Sequence, residues 1–383
     1  VSWRGIPIDR QTSYKYLGVD VSHDLRWTTF KTNALSKATA IVMSIWGSGR
    51  HHNMSVRAQV QLWKSLVIPI LLYSCQVWCD VEWGDAEVLQ HRVAKYILGI
   101  STSSPNAAVL NELGLTTLKT RADEQRLRFW ASLLNLDDAI PAKFIFINAR
   151  NQFNSTIRIN PLTTQPSSSR SRALTTLKTR SWMVYTYQLL NELQLSHYWN
   201  SCSVDPVMWR TTVRAALKKR EDAAWLECVN NNARLDVYRR IMANRWHRIA
   251  LYLTLPIDYQ ARRILTMLRI GSSRLRVHEG RYLNGFLPRD LRVCQLCLSA
   301  VEDEHHFMLV CPFFAVQRRC MLERCRVVMS PDCRDWVNLN DHSKLAMILR
   351  LSAKHRDAFD EILKFVRISL YRRKQLLLPL QLL

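Results

Sequence analysis

Apolar residues recur at three- and four-residue intervals through most of this chain, and that period constrains the fold more than any other feature. Trp27 to Trp46, Val56 to Trp78 and Ala86 to Leu98 each carry it, as does Leu118 to Leu136, which stops ahead of Pro141. Spacing of this kind puts one apolar stripe per helix toward a core. Helices are expected again from about Leu174 to Leu195 and from Pro206 to about Leu253. Only the opening differs. Gly5-Ile6-Pro7-Ile8 and Tyr14-Lys15-Tyr16-Leu17-Gly18-Val19-Asp20-Val21 alternate apolar and polar residues around a turn-rich middle, the pattern of a β-hairpin. The expected fold class is mainly α, with a short N-terminal hairpin.

With 383 residues, 48% of them apolar, the chain can bury cores for two or three compact units. Residues 148–172 turn polar, with Pro161, Pro166 and Ser167 to Ser169, and are the linker candidate. The heptapeptide Leu115 to Arg121 recurs at Leu174 to Arg180, but its flanks do not match over a full repeat, so no solenoid is inferred.

The charge balance narrows the function. Lys and Arg number 54 against 31 Asp and Glu, a net charge of +23, so the surface attracts polyanions. Thirteen Trp and twelve Tyr accompany that charge and offer bases surfaces to stack on. No run of residues reaches the length of a membrane span, and no signal peptide opens the chain, so an intracellular protein of nucleus and cytoplasm with no membrane partner is expected. The first residue is Val1 and it falls within a strand-like pattern, which suggests a fragment. Arg372-Arg373-Lys374 reads as a terminal helix face rather than an import patch.

Ten cysteines in a reducing compartment do not form a disulfide framework. Cys75, Cys79, Cys202 and Cys228 sit singly in apolar patterns and are expected as small core residues. Cys294, Cys297 and Cys311 are grouped, and with His306 they give C-x2-C-x8-H-x4-C. Two thiolates on a tight turn, plus a His and a Cys one helical turn apart, can close a tetrahedron on Zn2+. Four protein ligands leave no open position, so the zinc would be structural. His306 keeps the four-residue spacing of zinc knuckles, and His305 is its rival. A segment this small is expected to draw most of its folding energy from the metal, on the order of 10 kcal/mol.

Arg262, Arg263, Arg269, Arg274, Arg276, Arg281, Arg289 and Arg292 lead into the zinc turn, with Tyr282 and Phe286 among them. Guanidinium groups suit phosphates because they donate paired hydrogen bonds, so these eight are the expected nucleic-acid-binding residues. The helices from Arg210 to Arg248 add further cations beside Trp225 and Trp246. No Ser-His-Asp or Cys-His nucleophile arrangement and no Gly-rich phosphate loop is present in a chain with ten Gly.

Several stretches together resemble one family. They are Tyr16-Leu17-Gly18-Val19, Leu25-Arg26-Trp27, Ile68-Pro69-Ile70-Leu71-Leu72-Tyr73, Val77-Trp78, Leu98-Gly99, Glu112-Leu113-Gly114-Leu115 and Arg128-Phe129-Trp130. This set is similar to the region downstream of the palm in LINE-type, non-LTR retrotransposon reverse transcriptases. Arg269-Ile270-Gly271, Glu279-Gly280-Arg281-Tyr282 and the Cys-His cluster with its lead-in Val301-Glu302-Asp303-Glu304 resemble that family's C-terminal zinc segment, and the likeness is collinear to about residue 330.

The resemblance implies a thumb-like region over 1–100, a helical extension over 101–147, the linker over 148–172, a basic connector over 173–285, a CCHC knuckle over 286–330 and C-terminal helices over 331–383. It also implies RNA template and target DNA as partners, together with the palm, fingers and endonuclease domains of an intact protein. The family's polymerase carboxylates sit on the palm. Here Asn135-Leu136-Asp137-Asp138 follows an amphipathic helix and reads as a helix end, so the palm is expected upstream of Val1 and the chain is expected not to polymerise. Asp341-His342-Ser343-Lys344 lacks the acidic residue two before the lysine that a restriction-like nuclease needs. The competing reading is a domesticated zinc-binding adaptor that contacts nucleic acid or protein without a retrotransposition role.

Overall fold

The computed structural model describes all residues except 1, 4–5, 8–10, 25, 48–52, 79–82, 160–180, 243, 246, 283–285, 330–335, 352–354 and 378–383. The chain is mainly helical, as the apolar period requires, and among the described residues strands pair only near its start. Ser13–Tyr16 and Val19–Ser22 form an antiparallel hairpin with Tyr16 opposite Val19 across the two-residue turn Leu17-Gly18. A second short pair joins Ser2–Trp3 to Ile6–Pro7.

The continuous helix expected from Val56 to Trp78 is broken. Val56–Leu62 is followed by a π-turn at Trp63–Val67, then by Ile68–Leu71 and Cys75–Trp78. Pro69 is the physical reason: it has no N–H to donate one turn back, and its ring crowds the preceding carbonyls, so the helix widens before it. The polar stretch from residue 148 is also helical at first, because Pro141–Ile159 is one helix. Residues 148–159 of the expected linker are therefore helical. Residues 160–172 and the second heptapeptide copy lie outside the described residues.

Two compact units interleave along the chain. The first comprises Val1–Ser44, Trp63–Leu89 and Thr116–Ala223. Its core gathers around Leu118–Leu134, whose N-cap Thr117 accepts a hydrogen bond from the Thr120 backbone N–H. Trp130 and Trp209 pack with ring centres 5.0 Å apart, and the Trp209 indole donates to the Leu127 carbonyl at 2.9 Å. Asp137 and Asp138 lie in the turn after this helix, where Asp137 accepts from the Ala139 N–H.

The second unit comprises Ile45–Leu62, Gln90–Leu115 and Ala224–Leu383. Two helices whose C-terminal ends lie in this unit close in the same way. Gly99 closes Gly84–Leu98 and Gly114 closes Asn106–Glu112, each at positive φ, with the next residue's N–H bonded back to the last turn (Ile100 to Lys95, Leu115 to Leu110). Glycine reaches this left-handed conformation without steric cost, which explains the Leu-Gly pairs seen in the sequence. A Cβ at Gly114 would collide with the Arg248 backbone. At the far end, Asp341–Leu351 and Arg356–Leu377 are the two terminal helices.

The tryptophans correct one expectation. Trp46, Trp63, Trp78, Trp130, Trp199, Trp209, Trp225 and Trp336 are all buried, so they are core posts rather than stacking surfaces for bases. The exposed rings are mainly tyrosines with some phenylalanines, among them Tyr282 and Phe286. Cys75 is buried as expected, whereas Cys202 and Cys228 are exposed, and Cys79 and Trp246 lie outside the described residues.

Candidate metal centre

Cys294, Cys297, His306 and Cys311 come together in the second unit, and their candidate ligand atoms all lie within 4.8 Å of one another. The local backbone explains the convergence. Val293 bridges Val301, the Cys294 N–H donates to the Ala300 carbonyl at 2.8 Å, and the Leu298 N–H returns to the Cys294 carbonyl at 2.9 Å. This tight turn aims Cys294 and Cys297 to one side. Asp303 then caps the next turn by accepting the His306 N–H at 2.9 Å. The following turn is a π-turn, His306–Val310, in which the Cys311 N–H bonds the His306 carbonyl at 2.8 Å. That five-residue period returns Cys311 to the side of His306, so the H-x4-C spacing is the sequence signature of a π-turn.

His306 Nε2 lies 3.3 Å from Cys297 Sγ, which makes it the ring atom facing the cluster. His305, the rival ligand, instead stacks on His342 with ring centres 4.1 Å apart. Burial pushes the His306 imidazole down and keeps it neutral, as a ligand must be. Burial pushes the Cys311 thiol up to about 12 and raises Cys294 as well. Cys297 is lowered: burial raises it, but hydrogen bonds led by that from Ser299 outweigh burial.

The donor set fits a borderline-soft dication of the zinc type. With metal–sulfur bonds of about 2.3 Å, sulfurs on a tetrahedron stand about 3.8 Å apart, a small contraction of the present cluster. Three thiolates and a dication leave one net negative charge. Arg318, buried on the neighbouring helix Ala315–Met329, points its guanidinium at the backbone of this segment, bonding the Met308 carbonyl at 3.0 Å and also the Cys311 carbonyl. It would supply the compensating positive charge once a dication is bound, and sequence reasoning missed it.

The Val301-Glu302-Asp303-Glu304 lead-in has a role at each carboxylate. Glu302 accepts a bidentate pair from Arg373 at 2.6 and 2.7 Å and also the Arg276 backbone N–H at 2.8 Å. Asp303 is the cap already described. Glu304 accepts from Ser273 and lies against His278 Nε2, both at 2.7 Å. Phe307 adds apolar support, packing on Phe314 and Phe365 at 5.3 and 5.9 Å between ring centres. The segment is not packed by its own residues alone. It docks on the terminal helix, so a metal would brace a segment that is already packed against a neighbour.

The eight expected phosphate-binding arginines divide. Arg269 is buried and forms an ion pair with Glu112, at 2.9 Å through Nη2, while its guanidinium lies 4.9 Å from the Tyr252 ring centre. Arg292 is buried as well, donating to the Leu287 and Val277 carbonyls at 2.7 and 2.8 Å. These two hold the interior together and cannot reach a polyanion, because each is already enclosed with its own acceptors. Arg274 and Arg289 are exposed, and Arg262, Arg263, Arg276 and Arg281 are half-buried.

No helix among the described residues is long and apolar enough to cross a membrane. No family model matches the sequence, and no solved structure matches it. A protein described as "Probable RNA-directed DNA polymerase from transposon X-element", from Drosophila melanogaster, is 23% identical over 128 residues, which is 32% of this chain and 14% of that protein. Over about a third of its length, the chain is thus similar to a small part of a transposon RNA-directed DNA polymerase.

Proposed function

We propose that this chain is the C-terminal region of a non-LTR retrotransposon reverse transcriptase, a noncatalytic piece that holds one structural zinc ion and grips RNA template and target DNA. In the intact protein it would support target-primed reverse transcription beside the palm, fingers and endonuclease domains, which would carry the chemistry. The observation that carries the reading is the three-thiol, one-imidazole cluster set beside arginines that remain accessible, in a chain of net charge +23. The similarity to part of a transposon polymerase supports it independently.

In this reading Cys294, Cys297, His306 and Cys311 hold the zinc, which adds structure and no reactive position. Arg262, Arg263, Arg274, Arg276, Arg281 and Arg289 meet phosphates. The protein would work in cytoplasm and nucleus, where template and target are found. Two measurements on the purified chain test this: elemental analysis for zinc, and binding of single-stranded RNA at graded salt. Bound zinc and an affinity that falls steeply with salt are expected. Absence of RNA binding at low salt, or binding indifferent to salt, would leave the adaptor reading in its place.

A further inference from the structure

Three cations in the second unit converge on the backbone of one short loop, residues 99–103. Arg263 Nε donates to the Gly99 carbonyl at 2.6 Å, Lys95 Nζ to Thr102 at 2.6 Å and Arg234 Nη1 to Ser103 at 2.7 Å. The same Arg234 nitrogen lies 3.4 Å from the Tyr282 hydroxyl, and Tyr282 is 63% exposed. Arg281 is the chain neighbour of Tyr282 and is half-buried. Burial first, then repulsion from Arg234, Arg292 and Arg289, pushes its guanidinium down from its ordinary value.

Two carboxylates of the same unit are engaged with other arginines. Asp236 pairs with Arg239 and Arg240, and Asp303 pairs with Arg289. Among the described residues, Lys95, Arg234, Arg263 and Arg281 form no ion pair, and Nε of both Arg234 and Arg281 is buried without a hydrogen-bond partner. Gathering cations without a counter-charge costs stability through mutual repulsion, and an anion arriving among them relieves it. Loop carbonyls take one N–H each from Arg234 and Arg263, which leaves other guanidinium donors for that anion.

We propose that Arg234 and Arg281, with Tyr282 and with Lys95 and Arg263 bracing the loop, bind one nucleotide of a single-stranded nucleic acid, phosphate on the guanidinium pair and base on the Tyr282 ring. The exposed ring is what selects a nucleotide over a bare phosphate, since bases stack on aromatic faces and inorganic phosphate does not. The inference rests on the nucleic-acid-binding reading above and says where the strand is held. It brings in Arg234 and Lys95, which lie far in sequence from the arginine run that leads into the metal segment.

The test uses the full chain and an unstructured oligouridine RNA, with affinity measured by fluorescence anisotropy across a potassium chloride series. Arg234→Ala with Arg281→Ala should flatten the slope of log affinity against log salt by about 0.7, the loss of one phosphate contact on a single strand. Tyr282→Ala should weaken binding by about fivefold or more with the slope unchanged, because stacking carries no charge. Thiouridine-substituted RNA, photocrosslinked to the unmodified chain, reads the contact without any substitution, and the crosslink is expected in the peptide that holds Tyr282.

Steep salt-dependent binding by the unmodified chain, with unchanged slope in the double variant and crosslinks elsewhere, would overturn the site while leaving the functional reading intact. Failure of the unmodified chain to bind would overturn both. An oligoglutamate peptide displacing the RNA from the Tyr282 crosslink at equal charge concentration would also overturn the site, by marking it as a surface for any polyanion.

Discussion

Replacing Arg269 with Met should destabilise the second unit by about 3–5 kcal/mol, the usual cost of stripping one partner from a buried ion pair. The geometry supports the upper part of that range. Glu112 has none of its side chain exposed and takes two hydrogen bonds from Arg269, at 2.9 and 3.3 Å. Unit charges about 4 Å apart attract by about 4 kcal/mol at an effective dielectric constant near 20, so Coulomb's law and mutational experience agree. Since whole domains are stable by only about 5–15 kcal/mol, the loss would be visible at once. Replacing Glu112 with Gln in the same chain removes the stranded charge, and the double variant should recover at least about 1 kcal/mol of the loss. Urea unfolding of the four members of the cycle is the assay, because guanidinium chloride would screen the pair. Arg269 has no part in the nucleic-acid grip, so the double variant should also keep the unmodified salt slope for RNA. The reasoning fails if Arg269→Met stays within about 1 kcal/mol of the unmodified chain, or if the two losses simply add.

Three further outcomes follow from the same structure. Cys294→Ser or Cys311→Ser should release the metal and increase hydrogen exchange over residues 292–311, while the helix Arg356–Leu377 keeps its protection because Phe307, Phe314 and Phe365 still pack; zinc retained in both variants by elemental analysis would count against the site. Gly114→Ala should cost about 1–3 kcal/mol in thermal or urea unfolding, since alanine must adopt a φ of +61° with its Cβ against the Arg248 backbone, and a neutral result would contradict that packing. Burial, then Lys95, pushes His91 down from 6.5 to about 4. The folded chain resists a proton that the unfolded chain accepts, so stability is full above about pH 6.5 and declines toward pH 4, by no more than about 3 kcal/mol and by less where solvent reaches the ring. His91→Gln should flatten that decline, and an unchanged acid limb in pH-dependent unfolding would refute the assignment.

Much of the architecture is readable along the chain because it depends on local period and spacing. The hairpin at Tyr14 to Val21, the helices, the turn at Asp137-Asp138 and the C-x2-C and H-x4-C halves of the cluster are all of this kind. Even the π-turn that returns Cys311 to His306 is implicit in a five-residue step. One local signal was present and misjudged: Pro69 was bound to interrupt its helix, since a missing N–H cannot be repaired by neighbours.

Burial and partnership were decided by the tertiary structure alone. Arg269 sits in an Arg-Ile-Gly stretch and Glu112 in a Glu-Leu-Gly stretch 157 residues away, and nothing near either marks the other as its buried counter-charge. In sequence, Arg292 looks like Arg289, yet one is enclosed by carbonyls and the other faces solvent. The tryptophans read equally well as stacking platforms until packing buried them. Lys95, Arg234 and Arg281 become one cluster only when their helices and loops meet. Composition and period are properties of neighbours along the chain, whereas desolvation and ion pairing depend on which faces close on one another. The chain therefore announces its helices and its candidate metal ligands, and folding decides which of its many cations remain free to act.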